Sequence, residues 1–230
     1  MFDTRRLSIS CEDYARKTVS FLKHSTGSSA VVFTWWEDHS EFPPTIQLGG
    51  DSRKIREYYC DYQRSDPMRA ERLAALGKTF ETLSEASEQH DEELLEQYQP
   101  HLHKYGVIEE IDFIFWAGGK AVASAALVQT QDTSTSLGII ALKEMQGYLQ
   151  YGFSLLPAVK MRDREQRLRD RYKLTPKEIA VAELLVLGES NKSIASLMDV
   201  ELATVKTHLI HLFQKLEVQS RSKAVSLLNA

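Results

Sequence analysis

The C-terminal quarter of the chain carries start and stop signals for two short helices in succession. Thr175 can cap a helix in which Pro176 takes the first position and Glu178 bonds back to the cap. Gly188 suits the left-handed residue that ends such a helix, and Ser190 can cap the next one. Because these signals are local, they predict both helices whatever structure the rest of the chain adopts.

A third helix is predicted over residues 202–216 by its apolar spacing. Its buried face consists of apolar residues at i, i+4, i+7 and i+11, namely Val205, Leu209, Leu212 and Leu216. Its exposed face would carry Lys206, Thr207, Ile210 and Gln214. A further cap at Ser220 predicts a fourth helix. Three short helices with a tight turn before the third indicate a helix-turn-helix arrangement, in which the third helix enters the major groove of DNA.

Four segments of this region closely resemble the LuxR-type (LuxR/FixJ) DNA-binding domain, at continuous register over about residues 172–228. These segments are residues 174–178, 188–195, 203–208 and 215–225. The resemblance implies a four-helix domain that binds double-stranded DNA and uses its fourth helix as a dimer contact. It also implies that Lys206 and Thr207 face the bases. Four further residues would contact phosphate or support the docking: Asn191, Lys192, Thr204 and Lys215.

Several positions depart from the pattern of that family. Glu201 stands where a better helix cap, usually Ser, is common, and Glu217 stands where Gly is frequent. Ile210 and His211 stand where polar or basic residues are often found. Since an apolar side chain can contact the methyl group of thymine, Ile210 joins the predicted DNA-binding residues. These departures leave the operator sequence open and do not change the expectation of DNA binding.

The residues before this region predict a domain in which strands alternate with helices. Aromatic and β-branched residues predict a strand at 30–36 with a hairpin partner at 45–48. Gly118-Gly119 between the apolar runs 111–116 and 121–129 is a strong signal for a second hairpin. Helices are predicted at residues 12–23, 52–63, 67–76, 87–105 and from 137 onward, where Pro157 would bend the helix. This order predicts an α+β chain whose front domain is an α/β sandwich.

Charge divides the chain into three parts. Residues 1–159 carry 15 Lys or Arg and 23 Asp or Glu, a net charge of −8. Residues 160–172 carry 6 basic and 3 acidic residues, a net charge of +3. Residues 173–230 carry 7 basic and 6 acidic residues, a net charge of +1. We therefore predict a sensor domain over residues 1–159, a charged linker over 160–172 and the DNA-binding domain over 173–230.

Composition and motifs predict a cytoplasmic protein without enzyme activity. The chain has only two cysteines, no apolar leader at its N-terminus and no apolar run of about 18 residues that could cross a membrane. No Ser/His/Asp arrangement, phosphate-binding loop or dinucleotide glycine pattern occurs. His101 and His103 are interpreted as parts of a solvated helix face, so we predict no metal and no cofactor.

LuxR-type regulators usually carry an N-terminal control domain, and three kinds come into question. A phosphoacceptor receiver needs an early strand that ends in paired acidic residues, and this chain has none. Tyr58, Tyr62 and Asp66-Pro67 resemble part of the acyl-homoserine-lactone pocket, but no Trp precedes Tyr58 at the spacing of that family. The order of the elements is similar to that of "solo" LuxR regulators with a GAF- or PAS-like front domain. An acyl-homoserine lactone stays among the candidate ligands.

A sheet capped by helices makes a natural cup for a small molecule. Six residues are predicted to line it, with Asp66 as the polar anchor: Trp35, Tyr58, Tyr62, Asp66, Phe113 and Trp116. The alternative is that the aromatic side chains fill a hydrophobic core and that Asp66 only caps a turn.

These features together predict a sequence-specific DNA-binding transcriptional regulator that acts as a homodimer. A small ligand, or dimerisation of the N-terminal domain, would gate it in a way similar to quorum-sensing regulators. The other interpretation is that the N-terminal domain binds a protein partner instead of a small molecule. No membrane partner is predicted.

Overall fold

The computed structural model describes residues 9–36, 42–88, 92–133 and 137–229. Internal contacts divide the chain into two units, Met1–Lys160 and Met161–Ala230. None of the helices in the described ranges is long and apolar enough to span a membrane.

The first unit is built on a five-stranded antiparallel sheet with the strand order β2-β1-β5-β4-β3. The strands are β1 (Ala30–Trp35), β2 (Thr45–Gly49), β3 (Phe80–Thr82), β4 (Val107–Ala117) and β5 (Lys120–Thr130). Both predicted hairpins are confirmed, since β1 pairs with β2 and β4 pairs with β5. The sequence interpretation missed β3, because three residues are too few to show an alternating pattern.

The helices before the helix-turn-helix region match the sequence interpretation in place more than in length, except for α4, which was not predicted. They are α1 (Ile9–Thr26), α2 (Ser52–Glu57), α3 (Ala70–Ala75), α4 (Leu83–Ser87), α5 (Glu92–Tyr105), α6 (Ile139–Ser154) and α7 (Pro157–Tyr172). The predicted helix 52–63 changes after α2 into a π-helical turn, Tyr58–Tyr62. The predicted long helix is two helices, because Pro157 lacks the N–H that a helix interior needs and begins α7 instead.

The hydrophobic core of the first unit lies on one face of the sheet, under α1 and α6. Side chains alternate along a strand, so Val31, Phe33 and Trp35 all point to this face and are buried. Phe33, Phe115 and Phe153 form an aromatic cluster there, with ring centroids 5.2 Å apart between Phe33 and Phe115. The opposite face of the sheet is covered by the elements between β2 and β4, which gives an α/β sandwich as predicted.

The second unit is helical. Its helices after α7 are α8 (Pro176–Val186), α9 (Asn191–Leu197), α10 (Leu202–Lys215) and α11 (Arg221–Asn229). The four predicted stripe residues of the third helix, Val205, Leu209, Leu212 and Leu216, are buried in one core with Ile179, Leu185 and Ile194. Residues 160–172, predicted as a charged linker, are helical within α7, and Leu168 is buried in this same core.

Candidate functional site

Side-chain caps hold the helices of the second unit in place. Thr175 N donates to Glu178 Oε2 over 2.8 Å and Glu178 N donates to Thr175 Oγ1 over 3.3 Å, which is the predicted capping box. Ser193 N donates to Ser190 Oγ over 3.1 Å at the start of α9. Asp199 then adopts a φ of 51°, which makes the tight turn between α9 and α10. This turn fixes the angle at which α10 leaves α9.

The exposed face of α10 carries the side chains predicted to face the bases. Lys206, Thr207 and Ile210 are all exposed, as is Thr204 in the first turn of α10. Ile210 is 57% exposed although it is apolar. In the part of the chain that the structure describes, Lys206 forms no ion pair. A free cation beside a hydroxyl and an apolar side chain offers what direct readout of base edges requires, namely a donor and a methyl contact.

Lys215 at the far end of α10 has a structural partner. Its Nζ donates to Glu178 Oε2 over 2.6 Å and to the carbonyl oxygen of Lys173 over 3.0 Å. Glu178 is almost fully buried. Burial raises the pKa of Glu178, but the hydrogen bonds from Lys215 and Thr175 outweigh it and leave this pKa below its usual value. These contacts give Lys215 a structural role that the resemblance did not imply, and its role toward DNA, phosphate contact or support of the docking, stays a prediction.

Asn191 and Lys192 lie in the first turn of α9, where only Lys192 is fully exposed. Asn191 Oδ1 accepts a 3.4 Å hydrogen bond from Arg221 Nη1, and Arg221 Nη2 donates to the carbonyl oxygen of Glu189 over 2.5 Å. Arg221 thus joins the start of α11 to the start of α9, a role that the sequence interpretation missed. The roles of Asn191 and Lys192 toward DNA stay predictions.

A second candidate site lies in the first unit, on the face of the sheet opposite the hydrophobic core. It is a cavity of about 770 Å³ between β1, β4 and β5 on one side and α2, the π-helical turn and α5 on the other. Val32, Ala126 and Val128 form its apolar floor. All three face away from the core, because their neighbours in sequence point into it.

The structure brings Tyr58, Asp66 and Trp116 together on this cavity. Tyr58 OH donates to Asp66 Oδ2, and Met68 N donates to Asp66 Oδ1 over 2.7 Å. Trp116 Nε1 donates to the carbonyl oxygen of Lys78 over 3.1 Å. Three of the six predicted lining residues therefore share one site.

The other three predicted lining residues lie elsewhere, which corrects the expectation for them. Trp35 and Phe113 point to the core face of the sheet, because they occupy the strand positions of opposite parity to the cavity floor. Tyr62 packs beside the small cluster that contains Met68 and Leu83, with its ring centroid 4.8 Å from that of His101. For Trp35 and Phe113, the alternative that they fill a core describes the structure.

Five acidic residues line the cavity, and for three of them, Asp66, Glu110 and Asp112, burial is the main cause of an altered pKa. Burial raises the pKa of Asp66 to about 6 and that of Glu110 to about 8. It raises the pKa of Asp112 well above the usual range, and the charges of Asp66 and Glu110 raise it further. Tyr98 OH donates to Glu110 Oε2 over 3.0 Å. The cavity is therefore a poorly hydrated site that contains several acidic groups.

His101 lies among tyrosine rings at the side of the cavity. Its ring centroid is 5.8 Å from that of Tyr58, 5.3 Å from Tyr98 and 5.1 Å from Tyr105. Burial lowers the pKa of His101, which favours the neutral ring. The solvated helix face expected for His101 is wrong, since only 7% of the residue is exposed. His103, two residues on, is exposed as expected.

Glu110 and Asp112 were missed by the sequence interpretation, although a signal for them exists. They occupy alternate positions just before and inside the apolar run of β4. Acidic side chains with the same parity in a strand next to buried aromatic residues indicate a polar site on one face of the sheet.

Comparison with known proteins identifies the second unit. Residues 172–228 match the family described as "Bacterial regulatory proteins, luxR family". The chain is 43% identical over 68 residues to "Response regulator protein VraR" of Staphylococcus aureus and to the protein of the same name in Staphylococcus epidermidis. The similarity covers 29% of this chain, and the chain spans about a third of the length of these curated relatives, at 32%.

Solved structures similar over most of the chain have low sequence identity. The Escherichia coli protein SdiA superposes with a TM-score of 0.43 at 11% identity, over 98% of this chain and 92% of that one. A structure described as SdiA in complex with octanoyl-rac-glycerol superposes with a TM-score of 0.43 at 9% identity, over 98% of this chain and 89% of that one.

Proposed function

We propose that this chain, whose residues 172–228 form a LuxR-family helix-turn-helix domain, is a transcriptional regulator that reads DNA with α10. The observation that carries the proposal is the exposed face of α10, on which Lys206 and Thr207 lie in the half nearest the turn from α9 and Ile210 follows one turn later. The N-terminal part of a recognition helix is the part that reaches base edges. A regulator of bacterial DNA works in the cytoplasm.

The contacts on either side of this face would position α10 without reading sequence. Lys192 at the start of α9 is exposed and can contact phosphate, as can Thr204 in the first turn of α10. The chain from residue 173 on has a net charge of only +1. We therefore expect modest affinity for random DNA, with most of the discrimination coming from base contacts.

The experiment replaces Lys206 with Ala in the full chain and measures binding to an operator chosen from a random-duplex library. We expect a 10- to 100-fold loss, about 1–3 kcal/mol, since a contact to a base edge contributes that much. Lys177→Ala is the matched control. Lys177 is exposed in the first turn of α8, and Lys215 bonds to the neighbouring Glu178, so Lys177 lies at the end of α10 away from Lys206. Equal affinities of the two variants, or no operator from the library, would contradict the proposal.

The cavity in the first unit supports gating by a small ligand. Its volume of about 770 Å³ is within the range of small-molecule sites, roughly 300–1,000 Å³. The walls combine an apolar floor with a few acidic and hydroxyl groups, which is the usual composition of such sites. Of the six residues predicted from sequence, we expect the ligand to contact Tyr58, Asp66 and Trp116.

Homodimerisation is the second part of the proposal. A helix-turn-helix module covers a short half-site, and a dimer that binds two half-sites gains both affinity and specificity. The exposed face of α6 supports this pairing. Four apolar or aromatic side chains lie along it with exposed fractions from 48% to 81%: Ile140, Tyr148, Tyr151 and Leu155. We propose that this stripe, called the α6 stripe below, packs against the same stripe of a second copy.

A further inference from the structure

We propose that the cavity of the first unit binds an organic ammonium ion, a primary amine attached to an apolar body, whose NH₃⁺ group lies against Asp66, Glu110 and Asp112. The proposal rests on the proposed function only in taking this cavity as the ligand site of the regulator. None of the residues predicted from sequence, apart from Asp66, belongs to this carboxyl cluster.

The three carboxyl groups reach the cavity from two opposite walls. Glu110 and Asp112 are two residues apart on β4, so both point to the same face of the sheet. Asp66 comes from the segment after the π-helical turn, where Tyr58 and the backbone N–H of Met68 hold its two oxygens. The groups are close enough for the charges of Asp66 and Glu110 to affect Asp112.

Asp112 provides the observation that this cluster offers an unused hydrogen-bond acceptor. The residue is 9% exposed, it lines the cavity, and its Oδ1 has no hydrogen-bond partner in the described structure. Nδ1 of His101, a residue 7% exposed in the same cavity wall, also has no partner there. An unsatisfied buried acceptor destabilises a protein. A ligand that donates hydrogen bonds to Asp112 removes that cost.

Among the described residues no Lys or Arg side chain forms an ion pair with Asp66, Glu110 or Asp112, although the charge of Arg69 lowers the pKa of Asp66. A positively charged ligand would supply the direct partner of this cluster. Two lysines line the cavity, and neither forms an ion pair with the three carboxyl groups in the described ranges. Lys54 Nζ lies 4.3 Å above the ring of Tyr105, and Lys120 is exposed at the start of β5. Among the described residues no group of three or more His, Cys, Asp or Glu side chains is arranged to hold a metal ion. A compact NH₃⁺ group with three donors suits acceptors from two walls.

The acid–base state of the cluster agrees with this assignment. Burial raises the pKa of Asp66 to about 6, which leaves it mostly ionised near neutral pH, but it raises the pKa of Glu110 to about 8 and that of Asp112 well above its usual range, so these two groups retain protons there. An ammonium group favours the ionised carboxylates and displaces those protons into solvent. Binding should therefore release protons, which a neutral ligand does not cause.

The remainder of the cavity selects an apolar body for the amine. Val32, Ala126 and Val128 form the floor, the ring of Tyr58 lies beside Asp66, and the ring of Trp116 lines the same cavity. Aromatic faces attract cations as well as apolar groups, so they can hold both ends of such a ligand.

The test uses the full chain without DNA and a set of matched probes in which only the amine differs. The pairs are tyramine with tyrosol, 2-phenylethylamine with 2-phenylethanol, and hexylamine with 1-hexanol. We expect at least one amine to raise the Tm by 3 °C or more, while its alcohol leaves the Tm unchanged. Calorimetry of that amine in two buffers of different ionisation enthalpy should show proton release.

Asp112→Asn and Glu110→Gln should each lower the affinity for the amine at least 10-fold. Both substitutions keep the shape of the side chain. Asp61→Asn is the control, since Asp61 is exposed in the π-helical turn and does not line the cavity. The proposal is overturned if no amine exceeds its alcohol, if Asp112→Asn binds the amine as the wild type does, or if Mg²⁺ or Ca²⁺ stabilises the protein and the amines do not. Because no DNA is present, these results are independent of the Lys206 experiment.

Discussion

Three residues other than glycine adopt a left-handed backbone conformation in the second unit: Lys173, Asp199 and Glu217, with φ values of 53°, 51° and 55°. Each follows the end of a helix, where Gly is the usual residue because a Cβ atom strains this conformation. Asp tolerates it better than Glu, since its short polar side chain can bond locally. Lys173 and Glu217 are therefore more strained than Asp199, and Glu217 also stands where Gly is frequent in the LuxR-type pattern.

Glu217→Gly should stabilise the chain. Gly relieves the strain of the left-handed conformation, but it also raises the conformational entropy of the unfolded chain. The net effect should be an increase of about 0.5–1 kcal/mol in the free energy of unfolding. Urea unfolding followed by circular dichroism measures it. Asp199→Gly should gain less, and a Glu217→Gly chain that is no more stable than the wild type would show that the turn is unstrained.

Lys215→Ala should lower the stability of the second unit rather than only its affinity for DNA. The change leaves the buried carboxylate of Glu178 without its cation, at a cost of about 2–3 kcal/mol, less than for a fully buried pair because Lys215 is one-third exposed. Unfolding by urea at pH 7 gives the value, and Lys177→Ala supplies the control. If the variant is as stable as the wild type but binds DNA with lower affinity, Lys215 contacts phosphate and does not stabilise the fold.

The pH dependence of the Glu178–Lys215 pair has a definite sign. The folded pKa of Glu178 is below its usual value, so the pair stabilises the fold above the unfolded pKa. That contribution disappears as the pH falls through the folded pKa, in the acid range below about 4.5. Glu178→Gln should remove this part of the acid dependence, and identical stability profiles of the two chains between pH 3 and 6 would contradict it.

At the scale of single elements, α6 has two faces with different roles. Leu142, Leu149 and Phe153 bury one face against the sheet. The other is the α6 stripe, whose exposed apolar surface is more than an isolated helix face of a monomer usually shows. Pro157 ends this helix region soon after the stripe and begins α7.

Replacing Ile140 and Tyr151 together by Glu should convert a dimer into a monomer, because it places four like charges in the paired α6 stripes. Sedimentation velocity at micromolar concentration measures the change. Lys143→Glu introduces the same side chain on α6 outside the stripe and should leave the dimer intact. If the wild type sediments as a monomer at all concentrations, the α6 stripe has another partner.

At the scale of the whole molecule, gating requires a ligand to prefer one state of the protein. A ligand shifts operator affinity only by its differential affinity for the two states, about 5- to 150-fold in typical cases. The coupling is reciprocal, so operator DNA must change the affinity for the ligand by the same factor. This equality is a stricter test of gating than either measurement alone.

Asp66→Asn should separate sensing from DNA binding. The variant keeps the size of the side chain but loses the charge that faces the cavity, so a ligand response of the operator complex should disappear. The affinity for the operator without ligand should stay within about twofold, since the site lies in the first unit and α10 in the second. A response that survives this change would remove Asp66 from the site.

The DNA-binding unit could be predicted from the sequence alone because its signals are local. The capping box at Thr175, the cap at Ser190 and the apolar spacing within α10 each depend on residues a few positions apart. The exposed position of Lys206 follows from that spacing and was predicted with it. The two hydrogen bonds of Lys215, to Glu178 and to Lys173, were not predicted, because they join residues 37 and 42 positions apart.

The cavity depended on tertiary structure. The order of strands and helices could be predicted, but the parity of each strand decides which side chains face the cavity, and a shift of one residue exchanges the two faces. Trp35 and Phe113 were placed on the wrong face for this reason, while Glu110 and Asp112 were overlooked. Local sequence therefore determined the four helices that follow α7, whereas the carboxyl cluster exists only because the pairing of β4 with β5 and the chain segment around Asp66 bring distant residues to one place.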